Sequence, residues 1–310
     1  MDKREEINRL FSLRLRKAFG ETKIDYEKLQ EIRLRVGAPV ALVYDNQELL
    51  LKKEGGFTGE KKKGYCITKN ELRETMEYIC NYSLYAFEEE LKQGFLTIQG
   101  GHRVGVAGKV ILEKEKVKNI KYISCLNIRL AHEIKGCGEA ISSFLWNETE
   151  KKWRSTLVVS PPRCGKTTLL RDMIRLVSEG NKNFGGVNVG VVDERSELGA
   201  CYLGVPQNDL GMRTDILDCC PKAEGIMMLI RSMSPAIIAV DEIGSQEDKM
   251  ALEQAVNCGC KVFATAHGAS ISDIRNRGLA SFFERFIVLE TAGNAGEIEG
   301  IYDGKGERLC

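Results

Sequence analysis

The chain has 310 residues, 43% apolar and 29% charged, with a net charge of +1 at neutral pH. That length accommodates two domains with separate cores, and 45 basic against 44 acidic residues argue against a strongly basic nucleic-acid binder. No apolar run approaches the ~18 residues needed to cross a bilayer, and Met1–Leu10 is charged where a secretory signal needs an apolar core, so a cytoplasmic protein is expected.

Residues 1–147 read as an N-terminal α+β domain. The first element is an amphipathic helix over 7–19, with Ile7, Leu10, Phe11, Leu15, Ala18 and Phe19 at helical spacing and Arg9, Arg14, Arg16 and Lys17 opposite. Packing on its own domain is favoured over lying on a membrane surface. Strand-like runs follow at 31–36 and 39–44, then a charged turn at 52–63 and a helix that Thr68 caps. A strand at 94–99 leads into Gly100–Gly108, where four glycines surround His102 and Arg103 and suggest backbone passing close to something. After the basic stretch 114–121 a strand ends in Asn127–Leu130, and the polar residues 147–152 mark the domain boundary.

From there the second domain, 148–310, alternates strand and helix. Short apolar runs at 156–159, 187–192, 237–240 and 261–265 predict strands, with helices between several of them. This is the signature of an α/β fold with a mainly parallel sheet and its ligand at the carboxyl ends of the strands. The eleven cysteines do not change that picture. Cys219 and Cys220 are adjacent, Cys258 and Cys260 are separated by one residue, and no C-x-x-C occurs, so reduced thiols packed as small hydrophobes are expected.

The first predicted strand of this domain runs into Ser160–Thr167, SPPRCGKT, a phosphate loop with serine in place of the first glycine. Backbone N–H groups of Pro162–Thr168 (Arg163, Cys164, Gly165, Lys166, Thr167 and Thr168, proline having none) would curl round the phosphates of ATP at a helix N-terminus. Lys166 would reach the β- and γ-phosphates, and the Thr167 hydroxyl would ligate Mg²⁺. Ser160 need not abolish binding, because the first glycine mainly eases the strand into the loop. The apolar run 237–240 ends in Asp241 and Glu242. Two carboxylates at a buried strand end need a reason, and Mg²⁺ with a nucleophilic water supplies one: Asp241 for the metal, Glu242 for the water. Two further strand ends converge on the same edge. One carries Asp193, Glu194 and Glu197, any of which is a candidate to face the metal; Asp193 is assigned to Mg²⁺ and Glu194 to the catalytic group. The other carries Thr265 and His267, placed to sense a γ-phosphate. The long, turn-rich stretch 204–218 reads as a functional loop, with Arg213, and Arg231 beyond it, as arginines near the site or in structural pairs.

Taken together, Tyr85–Phe95, Gly100–Gly108, Ser160–Asp172, Val192–Glu197, Arg213–Asp218 and Arg231–Pro235 resemble the secretion ATPase superfamily, and within it a sporulation family. The order of phosphate loop, acidic box (Asp193–Glu197), Walker B strand (Ile237–Glu242) and histidine box (Thr265–Gly268) matches, and the likeness covers nearly the whole chain. The resemblance implies a RecA-like P-loop NTPase domain behind the smaller α+β domain, a homo-hexamer, and hydrolysis of ATP with Mg²⁺. It implies further a cytoplasmic protein peripheral at the inner face of a membrane, serving membrane proteins of the sporulation channel between mother cell and forespore. Arg103 and Arg129 match the superfamily's N-terminal arginines that help reach the γ-phosphate. Two departures stand out: Asp241 replaces a common glycine, and Arg195 sits where proline is frequent in pilus motors. RecA-like cores also drive helicases, so a nucleic-acid motor is the alternative; the neutral charge and the lack of a basic, aromatic-interleaved stretch weigh against it.

Overall fold

In the computed structural model, which describes residues 3–83, 87–182, 184–290 and 296–310, the chain divides into two compact units, Met1–His132 and Glu133–Cys310. The division falls ahead of the polar stretch 147–152 because Ile141 and Leu145 enter the second unit's core beside Trp153 and Val158. Tyr85 and Ala86, part of the string that carried the family resemblance, lie outside the described residues.

The first unit begins with two helices rather than one, α1 (Lys3–Arg9) and α2 (Leu13–Gly20). The expected apolar stripe survives the break: Ile7, Phe11, Leu15, Ala18 and Phe19 are all buried, and the Phe11 and Phe19 rings stack at 4.6 Å. Strands β1 (Leu29–Arg35), β2 (Ala41–Tyr44), β3 (Gln47–Leu51) and β4 (Phe57–Thr58) form a meander, followed by α3 (Lys69–Ile79) and α4 (Glu88–Lys92). Thr68 caps α3 as the sequence indicates, accepting the Glu71 N–H at 3.2 Å while the Glu71 carboxylate accepts the Thr68 N–H at 2.8 Å. Strands β5 (Phe95–Thr97), β6 (Arg103–Glu113) and β7 (Lys116–Arg129) complete an antiparallel sheet of order β4-β3-β2-β1-β7-β6-β5. Ile32, Leu34, Val104, Val106, Leu126 and Ile128 are buried at alternate positions, the two-residue period of a half-buried sheet. The glycine-rich turn before β6 has the close approach its composition suggested. Gly100 is left-handed (φ 82°), and a Cβ there would collide with the Glu6 carboxylate.

The second unit opens with α5 (Ser142–Leu145) and a small hairpin, β8 (Trp146–Asn147) and β9 (Lys152–Trp153). Its main elements are β10 (Thr156–Ser160), α6 (Lys166–Glu179), β11 (Val189–Asp193), β12 (Thr214–Asp218), α7 (Lys222–Met233), β13 (Ile237–Val240), α8 (Gln246–Asn257), β14 (Lys261–His267), α9 (Ile271–Asn276), β15 (Arg285–Leu289) and β16 (Ile298–Asp303). The sheet order is β12-β11-β13-β14-β10-β15-β16, parallel except for β16. Every residue of β10, β11 and β13 is buried, because apolar clusters cover both faces: Val158, Val189, Val191 and Ala239 belong to one, Leu157, Val159, Val192 and Val240 to the other. Two differences from the sequence expectation concern the sheet's margins. The stretch 204–218 is a loop only as far as Arg213, since Thr214–Asp218 pairs with Val189–Asp193 as an edge strand. Strands β15 and β16 carry no motif and extend the opposite margin. Among the described residues no helix is long and apolar enough to cross a membrane.

Candidate functional site

Register aligns the carboxyl ends of the central strands of the second unit. Ser160 lies opposite His267, Val192 opposite Val240, and Val240 opposite Ala264. The loop from β10 to α6 turns through left-handed conformations at Arg163 (φ 66°) and Gly165 (φ 91°), the latter serving as the helix N-cap. Such turns present successive N–H groups to an anion at the start of a helix. Ser160, where the first glycine is expected, simply continues the strand and is fully buried. Its carbonyl and that of Pro161 accept hydrogen bonds from Lys166 Nζ at 3.0 and 2.8 Å. Pro162 and Cys164 close the outer bend, with the thiol donating to the Pro162 carbonyl at 3.6 Å, and Thr168 continues the first turn of α6. Lys166 is itself buried; desolvation pulls its pKa below the ordinary lysine value while the carboxylates of Asp241 and Glu242 pull it back up.

Beside this loop the end of β13 is held by hydroxyls. Thr167 Oγ1 donates to Asp241 Oδ2 at 2.7 Å across 74 residues of sequence, and the Thr265 hydroxyl donates to Asp241 Oδ1. The Glu242 N–H donates to Thr265 Oγ1 at 2.8 Å and to Asp241 Oδ1 at 3.1 Å. Glu242 adopts a left-handed conformation (φ 53°) that is uncommon outside glycine, which sets the direction in which its side chain leaves the strand end. Its Oε1 lies 3.2 Å from His267 Nε2, and its Oε2 accepts from Arg195 at 2.7 Å. His267 Nδ1 is 3.3 Å from Lys166 Nζ. A lysine ammonium only donates, so Nδ1 accepts and Nε2 carries the proton directed at Glu242, an assignment made from the network. Lys166, His267, Glu242 and Arg195 therefore form one continuous polar chain.

The donor set suits one hard cation. Among the described residues no group of three or more His, Cys, Asp or Glu side chains converges as a metal cage. One hydroxyl and one carboxylate at the mouth of a phosphate loop are nevertheless what Mg²⁺ uses when phosphate oxygens and waters complete its octahedron. Thr167 and Asp241 meet that description.

Asp193 does not join them. It is 1% exposed, and its carboxylate accepts the N–H groups of Glu197 (2.9 Å), Leu198 (2.9 Å) and Gly199 (2.8 Å). Burial pushes its pKa up to about 6 against the opposing pull of those three amides. The expected metal ligand is thus the organiser of the turn that follows it: Oδ1 accepts the Glu197 amide, and Oδ2 accepts those of Leu198 and Gly199. Glu194 is drawn to Lys222 on α7. The group this segment does bring to the site is Arg195, through Glu242, and only its unusual place in the acidic box signalled it. Arg213 is a helix cap, donating to the carbonyls of Ser178 (2.8 Å) and Glu179 (3.2 Å) at the end of α6. Arg231 lies exposed in the last turn of α7. In the first unit, Arg103 and Arg129 are cross-strand neighbours on β6 and β7; the Arg103 guanidinium lies 4.3 Å from the centroid of the Phe95 ring, and Arg129 Nε is 3.4 Å from Glu31.

Comparison with known proteins agrees with this architecture. A profile of the family described as Sporulation stage III, protein AA matches residues 1–309. Stage III sporulation protein AA of Bacillus subtilis (strain 168) is 43% identical over 288 residues, covering 91% of this chain and 89% of that protein. Among solved structures, the pilus retraction motor PilT with bound ADP is similar at a TM-score of 0.56 and 16% identity, covering 92% of this chain and 80% of that one. The Legionella pneumophila ATPase DotB is similar at a TM-score of 0.50 and 14% identity, covering 85% of this chain and 72% of that one. At such identities the likeness is one of fold, and the fold is that of the RecA-like secretion ATPases.

Proposed function

The chain belongs to the sporulation stage III protein AA family, and from that premise we propose that it is a P-loop ATPase of the secretion-motor type that powers assembly or transport by a sporulation channel. The observation that carries this reading is the 2.7 Å contact between Thr167, the first residue after the phosphate-loop lysine, and Asp241 at the end of the buried strand β13. Two motifs far apart in sequence meet at one corner, where a nucleotide's β- and γ-phosphates would lie over the N-terminus of α6.

In this reading each residue has a task set by its position. The amides of residues 163–168 cradle the phosphates, and Lys166 exchanges its carbonyl partners for phosphate oxygens. Thr167 and Asp241 would hold Mg²⁺, which when bound neutralises phosphate charge during transfer. Glu242 orients and deprotonates the attacking water, its backbone N–H held by the Thr265 hydroxyl and its carboxylate flanked by His267 and Arg195. His267, bonded on one side to Lys166 and on the other to Glu242, registers whether the lysine is engaged by phosphate. Arg103 and Arg129 would add positive charge to the transferring group within an assembled homo-hexamer. Docking on membrane proteins of the channel would place the assembly at the inner face of the membrane.

The test is ATP turnover by the purified chain beside Lys166→Ala, with oligomer size measured in the same samples. Phosphate release by the wild type, reduced about 100-fold or more in the variant at unchanged oligomer size, is the expected result. Equal turnover in both proteins would end the proposal.

A further inference from the structure

The turn after β11 is built with unusual care for a segment that contributes no acid to the site. Asp193 is buried in order to bind three consecutive amides, those of residues 197–199, and its own carbonyl accepts the Cys219 N–H at 2.8 Å. From the other side, Arg171 of α6 donates to the carbonyls of Glu197 (2.7 Å) and Leu198 (2.9 Å). Ser196 takes a left-handed conformation (φ 52°) inside this frame. Burying a carboxylate, with an arginine beside it, to fix the backbone of residues 197–199 is costly unless their placement matters. What the frame presents is Arg195, whose guanidinium donates to Glu242 Oε2 at 2.7 Å across 47 residues of sequence.

We propose that Arg195 is a positioning residue for hydrolysis, holding Glu242 in the orientation that directs its free lone pairs at the attacking water. This rests on the reading of Glu242 as the group that activates that water. The geometry divides the carboxylate between two partners on opposite neighbouring strands. His267, from the end of β14, takes Oε1 at 3.2 Å, and Arg195, from beyond the end of β11, takes Oε2 at 2.7 Å. With β13 between them, the two clamp the carboxylate from either side and fix the plane of its oxygens. A left-handed Glu242 backbone alone sets the direction of Cα–Cβ but leaves the side-chain torsions open. The arginine removes that freedom. Arg195 meets the site at the Glu242 carboxylate, whereas the proposed phosphate cradle is formed by residues 163–168, so nucleotide binding is expected to survive its loss.

The Arg195 side chain is 66% exposed, and pairs of that kind contribute little to folding, so its removal leaves the fold intact. Arg195→Ala is expected to lower kcat for ATP about tenfold while KM and the affinity for a nonhydrolysable ATP analogue stay within about twofold. Arg195→Lys, which keeps the charge without the planar fork, should recover to within about threefold of wild type. The decisive measurement is single-turnover hydrolysis in a Glu242→Gln background, where Arg195→Ala should cost less than about twofold, because a positioning residue has nothing left to position. An undiminished loss in that background, a change in KM alone, or an unchanged kcat in the single variant would each overturn the role. A wild-type chain without turnover would instead sink the ATPase reading itself, and this role with it.

Discussion

The tripeptide Val-Asp-Glu occurs twice, at 192–194 and 240–242, at the ends of adjacent parallel strands whose register pairs Val192 with Val240. The two copies are alike in local sequence and secondary structure, yet their aspartates face different partners. Asp193 is closed over by three backbone amides from its own chain a few residues on, whereas Asp241 meets the hydroxyls of Thr167 and Thr265 and one backbone amide, that of Glu242. Amides that cannot move away make a carboxylate part of the scaffold. Hydroxyls, which both donate and accept, can turn from a carboxylate to a cation or a phosphate when one arrives. A strand-end acid is therefore identified as a site by what opposes it, not by its own motif.

The sharpest way to break this contrast is to remove each aspartate's charge in turn. Asp241→Asn should lower ATP turnover by about 100- to 1000-fold, the range for losing a group that organises charge at the transferring phosphoryl. Its thermal midpoint should move by no more than a few degrees. Asp193→Ala should do the reverse. Three buried N–H groups lose their acceptor, and at ~1 kcal/mol or more for each, denaturant titration should show a loss of about 3 kcal/mol. Turnover per folded molecule should fall modestly, through the loosened turn that carries Arg195. If Asp193→Ala kept its stability and lost its turnover, the roles would have to be exchanged.

Why the sequence misplaced one twin and not the other has a physical answer. The phosphate loop, the buried strands around it and the Thr68 cap are local: alternation of strand and helix, a lysine after a glycine, a threonine three residues before a glutamate. Such features are legible because the interacting groups are near neighbours in sequence. Asp193 also binds near neighbours, but it does so through main-chain N–H groups, which every residue possesses and no motif records. The Arg195–Glu242 pair spans 47 residues and depends on the order of β11 and β13 in the sheet, which one sequence does not disclose. Thr214–Asp218 looks like loop in the sequence because turn formers dominate its surroundings, although a five-residue edge strand needs only one pairing partner. The opening helix broke at Leu10–Ser12 without losing its apolar stripe, since the spacing of buried positions tolerates a change of direction that periodicity alone does not reveal.

Outside the site, His102 extends the comparison to a titrating group of the scaffold kind. It is 1% exposed, its Nδ1 accepts the Ala131 N–H at 2.9 Å, and its Nε2 lies 3.8 Å from Glu6 Oε1. Burial, with smaller pushes from Lys3 and His132, lowers its pKa from 6.5 to about 4. The unfolded chain therefore takes up a proton as pH falls below 6.5 while the folded chain refuses it down to about 4, so the stability this residue contributes is complete above 6.5 and is lost on acidification across that window. At pH 5 the loss should amount to roughly 2 kcal/mol. Denaturant midpoints of the wild type and His102→Asn, compared between pH 7 and pH 5, should converge as pH falls. Parallel curves would show that His102 is not the group responsible.

The smallest effect should come from the second member of the scaffold copy. Glu194 was expected on motif order to share the catalytic work, but its carboxylate is paired with Lys222, and its side chain is 40% exposed. With its partner Lys222 13% exposed, an ion pair of this kind is worth about 1 kcal/mol after screening, and it turns the Glu194 carboxylate toward α7. Glu194→Gln should therefore leave turnover within about threefold of wild type and stability within about 1 kcal/mol, whereas Glu242→Gln, the same substitution one strand away, should reduce turnover by two orders of magnitude or more. Measuring both variants under identical conditions isolates position from chemistry, because the side chain removed is the same. A collapse of turnover in Glu194→Gln would mean that Lys222 releases this carboxylate to the nucleotide during the cycle, and that the two Val-Asp-Glu copies act as a pair after all.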